Sequence, residues 1–176
     1  AFMEGSAVLK NEKFAGWLNG SETRGYMWIM GRPKMGMVVD SSSGEGEQVT
    51  MGLLGAKKKT TADIAGDGTI RIKIKLDVLG DIVEQSFKEI TDEEIIRRYE
   101  KSFAGIITGE MESALDKAQN EYNADIFDFN GYIHRKYPDR WKDMKENWDY
   151  IFPRVMVDFD VNVVIRSLGK STRVSD

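Results

Sequence analysis

The chain of 176 residues contains no cysteine, which removes a disulfide, a thiolate nucleophile and a cysteine-ligated zinc at once. That absence is compatible with every compartment. It has a single histidine, His134, and no apolar run near the roughly 18 residues that a membrane-spanning helix requires. A basic excess is also missing: the formal net charge is −4. Bulk nucleic-acid binding shows a basic footprint over the whole domain, so any basic function here is local and no nucleic-acid partner is expected. The opening AFMEGSAVLK has neither a charged n-region nor an apolar h-region, so no export signal is read in it, as in a processed protein or an excised domain.

What is present is ordinary globular composition, 41% hydrophobic and 31% charged, at a length that suits a single domain over residues 1–176. Residues 6–18 read as a hairpin turning at Asn11 and Glu12, with Val8, Phe14 and Trp17 as core contacts. Asn19 followed by Glu22 has the form of a capping box and Gly31 that of a helix stop, which predicts a helix over 20–30. A strand at 37–41 leads into SSSGEGEQ, an exposed loop whose GEG lacks the following lysine of a phosphate loop and carries repelling carboxylates.

Residues 48–65 and 69–85 read as two long strands joined at Gly66-Asp67-Gly68. In the second, Ile70, Ile72, Ile74, Leu76 and Val78 alternate with Arg71, Lys73, Lys75 and Asp77, so one face is buried and the other charged. Pairing Ala65 with Thr69 sets Asp63 opposite Arg71, Lys59 opposite Lys75 and Lys57 opposite Asp77. The outer face then carries a basic surplus: Lys57, Lys59, Arg71, Lys73 and Lys75. Plain solvation is the ordinary reading; docking to anionic lipid headgroups or to an acidic partner is the alternative.

Thr91 and Glu94 form a second capping box, and apolar residues at helical spacing from Ile95 to Ala118 predict one long helix. A second helix is expected over 123–136 and a third from Pro138. On the third, Trp141, Met144 and Trp148 share a face that Ile151 and Phe152 extend, the usual pattern of a buried stripe. The competing reading makes Trp141 and Trp148, with Tyr132, the rings of a ligand pocket. The last strand, 155–168, alternates apolar residues with Asp158, Asp160, Asn162 and Arg166. The expected fold is α+β: a largely antiparallel sheet of about six strands with a long helix and shorter helices packed on one face.

Chemistry is sparse. Asp125 and Asp128, three apart, would meet on a helix face as a carboxylate pair, but solvent-facing or capping roles are the ordinary fate of such residues. His134 lies off that face and reads as a surface histidine. Asp158 and Asp160 with Arg166 read as a solvated strand face, and Ser41 to Ser43 have no histidine in sequence context to activate them. No catalytic, cofactor-binding or metal-ligating residue is assigned, and a non-enzymatic chain is expected.

Two stretches, AVLKNEKFAGWLNGSETRGYMW and EYNADIFDFNGYIHRKYPDRWKDMKENWDYIFPRVMVDFDVNVVIRSLG, resemble the C-terminal domain of the Ger(x)C family, the lipoprotein C subunits of the nutrient germinant receptors of bacterial spores. Leu18, Glu22, Thr23, Arg24 and Gly25 match the family's pattern after the first hairpin; Asp125, Phe129, Pro138, Trp141, Trp148, Phe152 and Pro153 match its C-terminal signature. The family's N-terminal half, with its lipobox cysteine, has no counterpart in this sequence. The resemblance implies a non-enzymatic subunit, lipid-anchored at the outer face of the spore inner membrane. It implies assembly with a multi-spanning A subunit and a transporter-like B subunit to trigger germination, and no cofactor.

Overall fold

The computed structural model describes residues 5–33, 36–41, 48–85 and 93–166. Strands β1 (Gly5–Lys10) and β2 (Lys13–Asn19) form a separate two-stranded sheet. Its two-residue turn, Asn11 and Glu12, has positive φ at both positions, as a twisted hairpin requires. Val8 and Leu18 are buried with Ala124 in a small core of their own. The expected core role of Phe14 and Trp17 is corrected: they are 59% and 63% exposed. Trp17 alternates with the buried Leu18 and so faces outward; the register slips between Val8 and Leu9, leaving Ala15 unpaired, and this bulge turns Phe14 to the same outward face.

Helix α1 (Gly20–Met30) begins with the expected capping box and ends at Gly31 in the left-handed conformation. Lys58 donates from Nζ to the Ile29 carbonyl at that end, 2.9 Å away, a cation where the helix dipole favours one.

β3 (Met37–Asp40), β4 (Val49–Ile64), β5 (Ile70–Gln85) and β6 (Met156–Ile165) make a four-stranded sheet in that order. The β4–β5 register matches the expected one, Asp63 opposite Arg71 and Lys59 opposite Lys75. The expected six-stranded, largely antiparallel sheet is corrected: the main sheet has four strands, and β6 pairs with β5 in parallel. Alternation reports that a strand is half-buried, not which way it runs, so the sequence pattern could not distinguish the two.

The long crossover from β5 to β6 holds α2 (Glu93–Asp116), a π-helical turn at Lys117–Glu121, α3 (Phe129–Lys136), α4 (Pro138–Met144) and α5 (Trp148–Ile151). The apolar stripe of α2, Tyr99, Phe103, Ile107, Met111 and Ala114, is fully buried with Ile70, Ile72, Ile74, Leu76 and Val78 of β5. Thr91, the expected cap of α2, lies outside the described residues. The second helix starts at Phe129 rather than 123, because Asn123 and Asp128 take left-handed φ values of 45° and 57° and break the turn. The third is divided by 3-10 turns at Lys145–Asn147 and Phe152–Arg154.

α1 and α2 cross very closely. A Cβ on Gly25 would lie 1.9 Å from the Glu110 carbonyl oxygen, so only glycine fits. Glu110, itself buried, receives Arg24 through Nε and Nη2 at 2.8 and 2.5 Å and the Trp28 indole N–H at 3.0 Å. Gly25→Ala must therefore push the helices apart. Overpacking of this kind predicts a melting temperature lower by about 2–12 °C. A thermal scan that finds the variant unchanged would refute the close crossing.

Candidate functional site

The loop 122–128 places Asp125 at the start of α3. Its Oδ1 accepts from the Phe129 amide at 3.1 Å, and its Oδ2 accepts from the Asn130 amide at 2.7 Å and from the Trp148 indole at 3.1 Å. Burial pushes the Asp125 carboxyl above the usual carboxylate range, against the pull of the Asn130 and Phe129 amides and the indole N–H. Asp128 points outward to Arg135, 3.1 Å away. The two aspartates thus form no pair, since the segment that would have aligned them is not helical.

Trp148 is 8% exposed and Trp141 partly buried; their rings meet edge to face at 5.3 Å. His134, exposed on α3, stacks on Trp141 at 5.8 Å. Tyr132 is drawn elsewhere, its hydroxyl donating to the Thr60 carbonyl at 2.7 Å. Trp148 belongs to the main core, and Tyr132, Trp141 and Met144 pack against that core while partly exposed. A polar recess of about 220 Å³ lies beside the cluster, lined by Lys10, Asn123, Asp125, Asn130, Trp148 and Asp149 among others. Lys10 pairs with Asp149 at 3.4 Å, and the Asn123 carboxamide oxygen is buried with no hydrogen-bond partner.

The basic strand face looks different once β6 is in place. The parallel register sets Asp158 opposite Lys73 and Asp160 opposite Lys75. Lys73 pairs with Asp160 at 3.2 Å and Lys75 with Asp77 at 3.8 Å, so part of the surplus is neutralised within the face. Lys57, Lys59 and Arg71 keep no ion-pair partner within 4.0 Å among the described residues. Arg166 pairs with Asp81 rather than with Asp158 or Asp160.

Sequence reasoning missed the other end of the same face. Met37 and Val39 of β3, Leu54 of β4, Leu79 and Val83 of β5 and Val164 of β6 are all exposed, from 42% for Leu79 to 66% for Met37. The signal was available: the phase of β5 that carries Arg71, Lys73, Lys75 and Asp77 continues through Leu79 and Val83.

Ser41 accepts from Gln48 at 3.3 Å, while Ser42 and Ser43 lie outside the described residues. Among the described residues no group of three or more histidines and carboxylates is placed to hold a metal, and no helix is long and apolar enough to cross a membrane.

Fold and site together define an α+β domain with a mixed sheet, helices on one face, and polar side chains largely engaged in caps and ion pairs. The chain belongs to the spore germination B3/GerAC-like C-terminal family, whose model matches residues 4–169. It is 32% identical over 168 residues to the spore germination protein YndF of Bacillus subtilis strain 168, covering 94% of this chain and 41% of that protein. Against spore germination protein KC of the same strain the identity is 23%, over 87% of this chain and 38% of the relative. The chain thus spans about two-fifths of the length of these curated relatives. The crystal structure of the GerBC protein superposes with a TM-score of 0.82 at 24% identity, covering 92% of this chain and 51% of that one, a likeness in fold.

Asp125→Asn keeps one acceptor but sets an amide NH2 against N–H donors, with an expected loss of about 2–3 kcal/mol. The raised pKa means the folded protein holds a proton that the unfolded chain releases, so Asp125 subtracts stability as the pH rises from about 4. The gap between wild type and variant in denaturant melts should therefore narrow over that rise; a widening gap would refute the assignment.

Proposed function

We propose that this chain is the C-terminal domain of a germinant-receptor C subunit and works by assembly with the receptor's A and B membrane subunits, not by catalysis. The observation that supports this reading is the outer sheet face, which among the described residues joins exposed apolar side chains to cations without an ion-pair partner, in a chain of this family. Of the side chains raised above for acid–base work, Asp125 is engaged in a cap and Asp128, Asp160 and Arg166 in ion pairs, while Asp158 stands opposite Lys73. Family membership supports placement at the spore inner membrane, and we propose attachment of the whole protein there by an N-terminal lipid anchor. Direct docking to anionic lipid is the weaker version, because Asp158 and Asp160 lie within the same screening length as Lys73 and Lys75.

One observation favours a second reading, direct binding of a small nutrient: the polar recess beside Trp148 with its unpartnered Asn123 oxygen. Two measurements separate the readings. The tagged domain, added to detergent-solubilised spore inner membranes, should retain the A and B subunits as identified by mass spectrometry. Tryptophan fluorescence of the same domain should stay flat when titrated with amino acids, sugars and nucleosides. Saturable quenching without retention of the subunits would reverse the order of the two readings.

A further inference from the structure

We infer that the apolar end of the outer sheet face, with Lys57 and Lys59 at its border, is a docking site for a protein segment of apolar side chains flanked by acidic residues. The inference rests on the assembly reading above and assigns it a surface. Helices cover the opposite face of the sheet, where Ile70, Ile72, Ile74, Leu76 and Val78 are buried. On the outer face the register brings the exposed apolar groups together. Met37 lies opposite Gly52, over which the Val83 side chain rests, since a Cβ on Gly52 would meet it at 2.7 Å. Leu79 lies between Gly55 of β4 and Val164 of β6, and Leu54 sits in the adjoining bulge. The patch therefore spans all four strands. Isolated exposed apolar residues are normal on a protein surface, but six on one sheet face, grouped around the Asp81–Arg166 ion pair, mark an interaction site.

Charge selects the occupant. Two residues beyond the Leu79–Gly55 pair stands Asp77 opposite Lys57, and Lys59 follows opposite Lys75. Asp77 is taken up by Lys75, which among the described residues leaves Lys57 and Lys59 as cations without an ion-pair partner at the border of the patch. An acidic segment complements them, whereas a basic one would be repelled. An anionic bilayer fits less well. Polybasic recognition of lipid uses clusters of about four to eight cations, and here Asp63, Asp77, Asp158 and Asp160 are interleaved with the five cations of the face. A second copy of this chain fits less well too, because its own patch is bordered by cations rather than by the acidic residues that complement Lys57 and Lys59.

The test places a photo-reactive benzophenone amino acid at Leu79 of the full-length protein in assembled spore membranes, with Arg97, exposed on α2, as the control position. The expected result is crosslinking from position 79, not from 97, to a protein segment bearing acidic residues. In a Lys57→Glu, Lys59→Glu background of unchanged melting temperature, the yield should fall at least about tenfold. Crosslinks to lipid or to a second copy of the chain, an undiminished yield in that background, or no crosslink at all would each overturn the inference. If the A and B subunits still co-purify while position 79 stays silent, the surface is wrong and assembly stands. If wild-type protein retains neither subunit, the assembly reading fails with it.

Discussion

The parallel pairing of β6 with β5 constrains everything else in this domain. β5 has β4 antiparallel on one flank and β6 parallel on the other. A parallel neighbour cannot be reached by a tight turn, so the chain between them must travel back along the sheet. That crossover contains every helix except α1. Its apolar stripes close over the alternating isoleucines of β5, and among the described residues the other face of the sheet carries the exposed Met37, Val39, Leu54, Leu79, Val83 and Val164. The same pairing lays Asp158 and Asp160 beside Lys73 and Lys75, which converts a basic stripe into a mixed one.

Two carboxylates, Glu110 buried and Asp125 partly buried, then hold the helices in place, and both do so through a tryptophan. Glu110 on α2 receives the Trp28 indole N–H and the Arg24 guanidinium of α1, while Asp125 receives the Trp148 indole N–H and two amides of α3. Hydrogen bonds to an ionised group contribute about 1.5–3 kcal/mol each, and a buried donor left without its acceptor costs a similar amount. Tryptophan and carboxylate together are fold glue here. The run Glu22, Thr23, Arg24, Gly25 has the same character. Glu22 closes the capping box, Thr23 is buried against the Leu18 carbonyl, Arg24 reaches Glu110, and Gly25 lets the two helices touch.

Much of this was legible from local rules. Asn19 and Glu22 announce α1, Ile70 to Val78 announce β5, and Gly66-Asp67-Gly68 sets the register that puts Asp63 opposite Arg71. What was not legible depends on distant partners. The direction of β6 leaves no trace in its alternation, the bulge at Ala15 depends on how the hairpin seats, and the left-handed turns at Asn123 and Asp128 follow from Asp125 being drawn inward. The candidate site divides the same way. Lys57, Lys59 and Arg71 could be read as an outward face, but the acids that answer Lys73 and Lys75 arrive only with β6, and the apolar patch exists only when four strands are laid side by side.

If the domain works through this exposed sheet face, it should fail when that face is made polar and nothing else changes. The most direct measurement is the rate of nutrient-triggered germination in spores whose full-length protein carries Leu79→Asp and Val83→Asp, at matched protein level and melting temperature. An assembly role through this face predicts spores that hold the subunit yet germinate far more slowly than wild type. Germination at the wild-type rate would refute it.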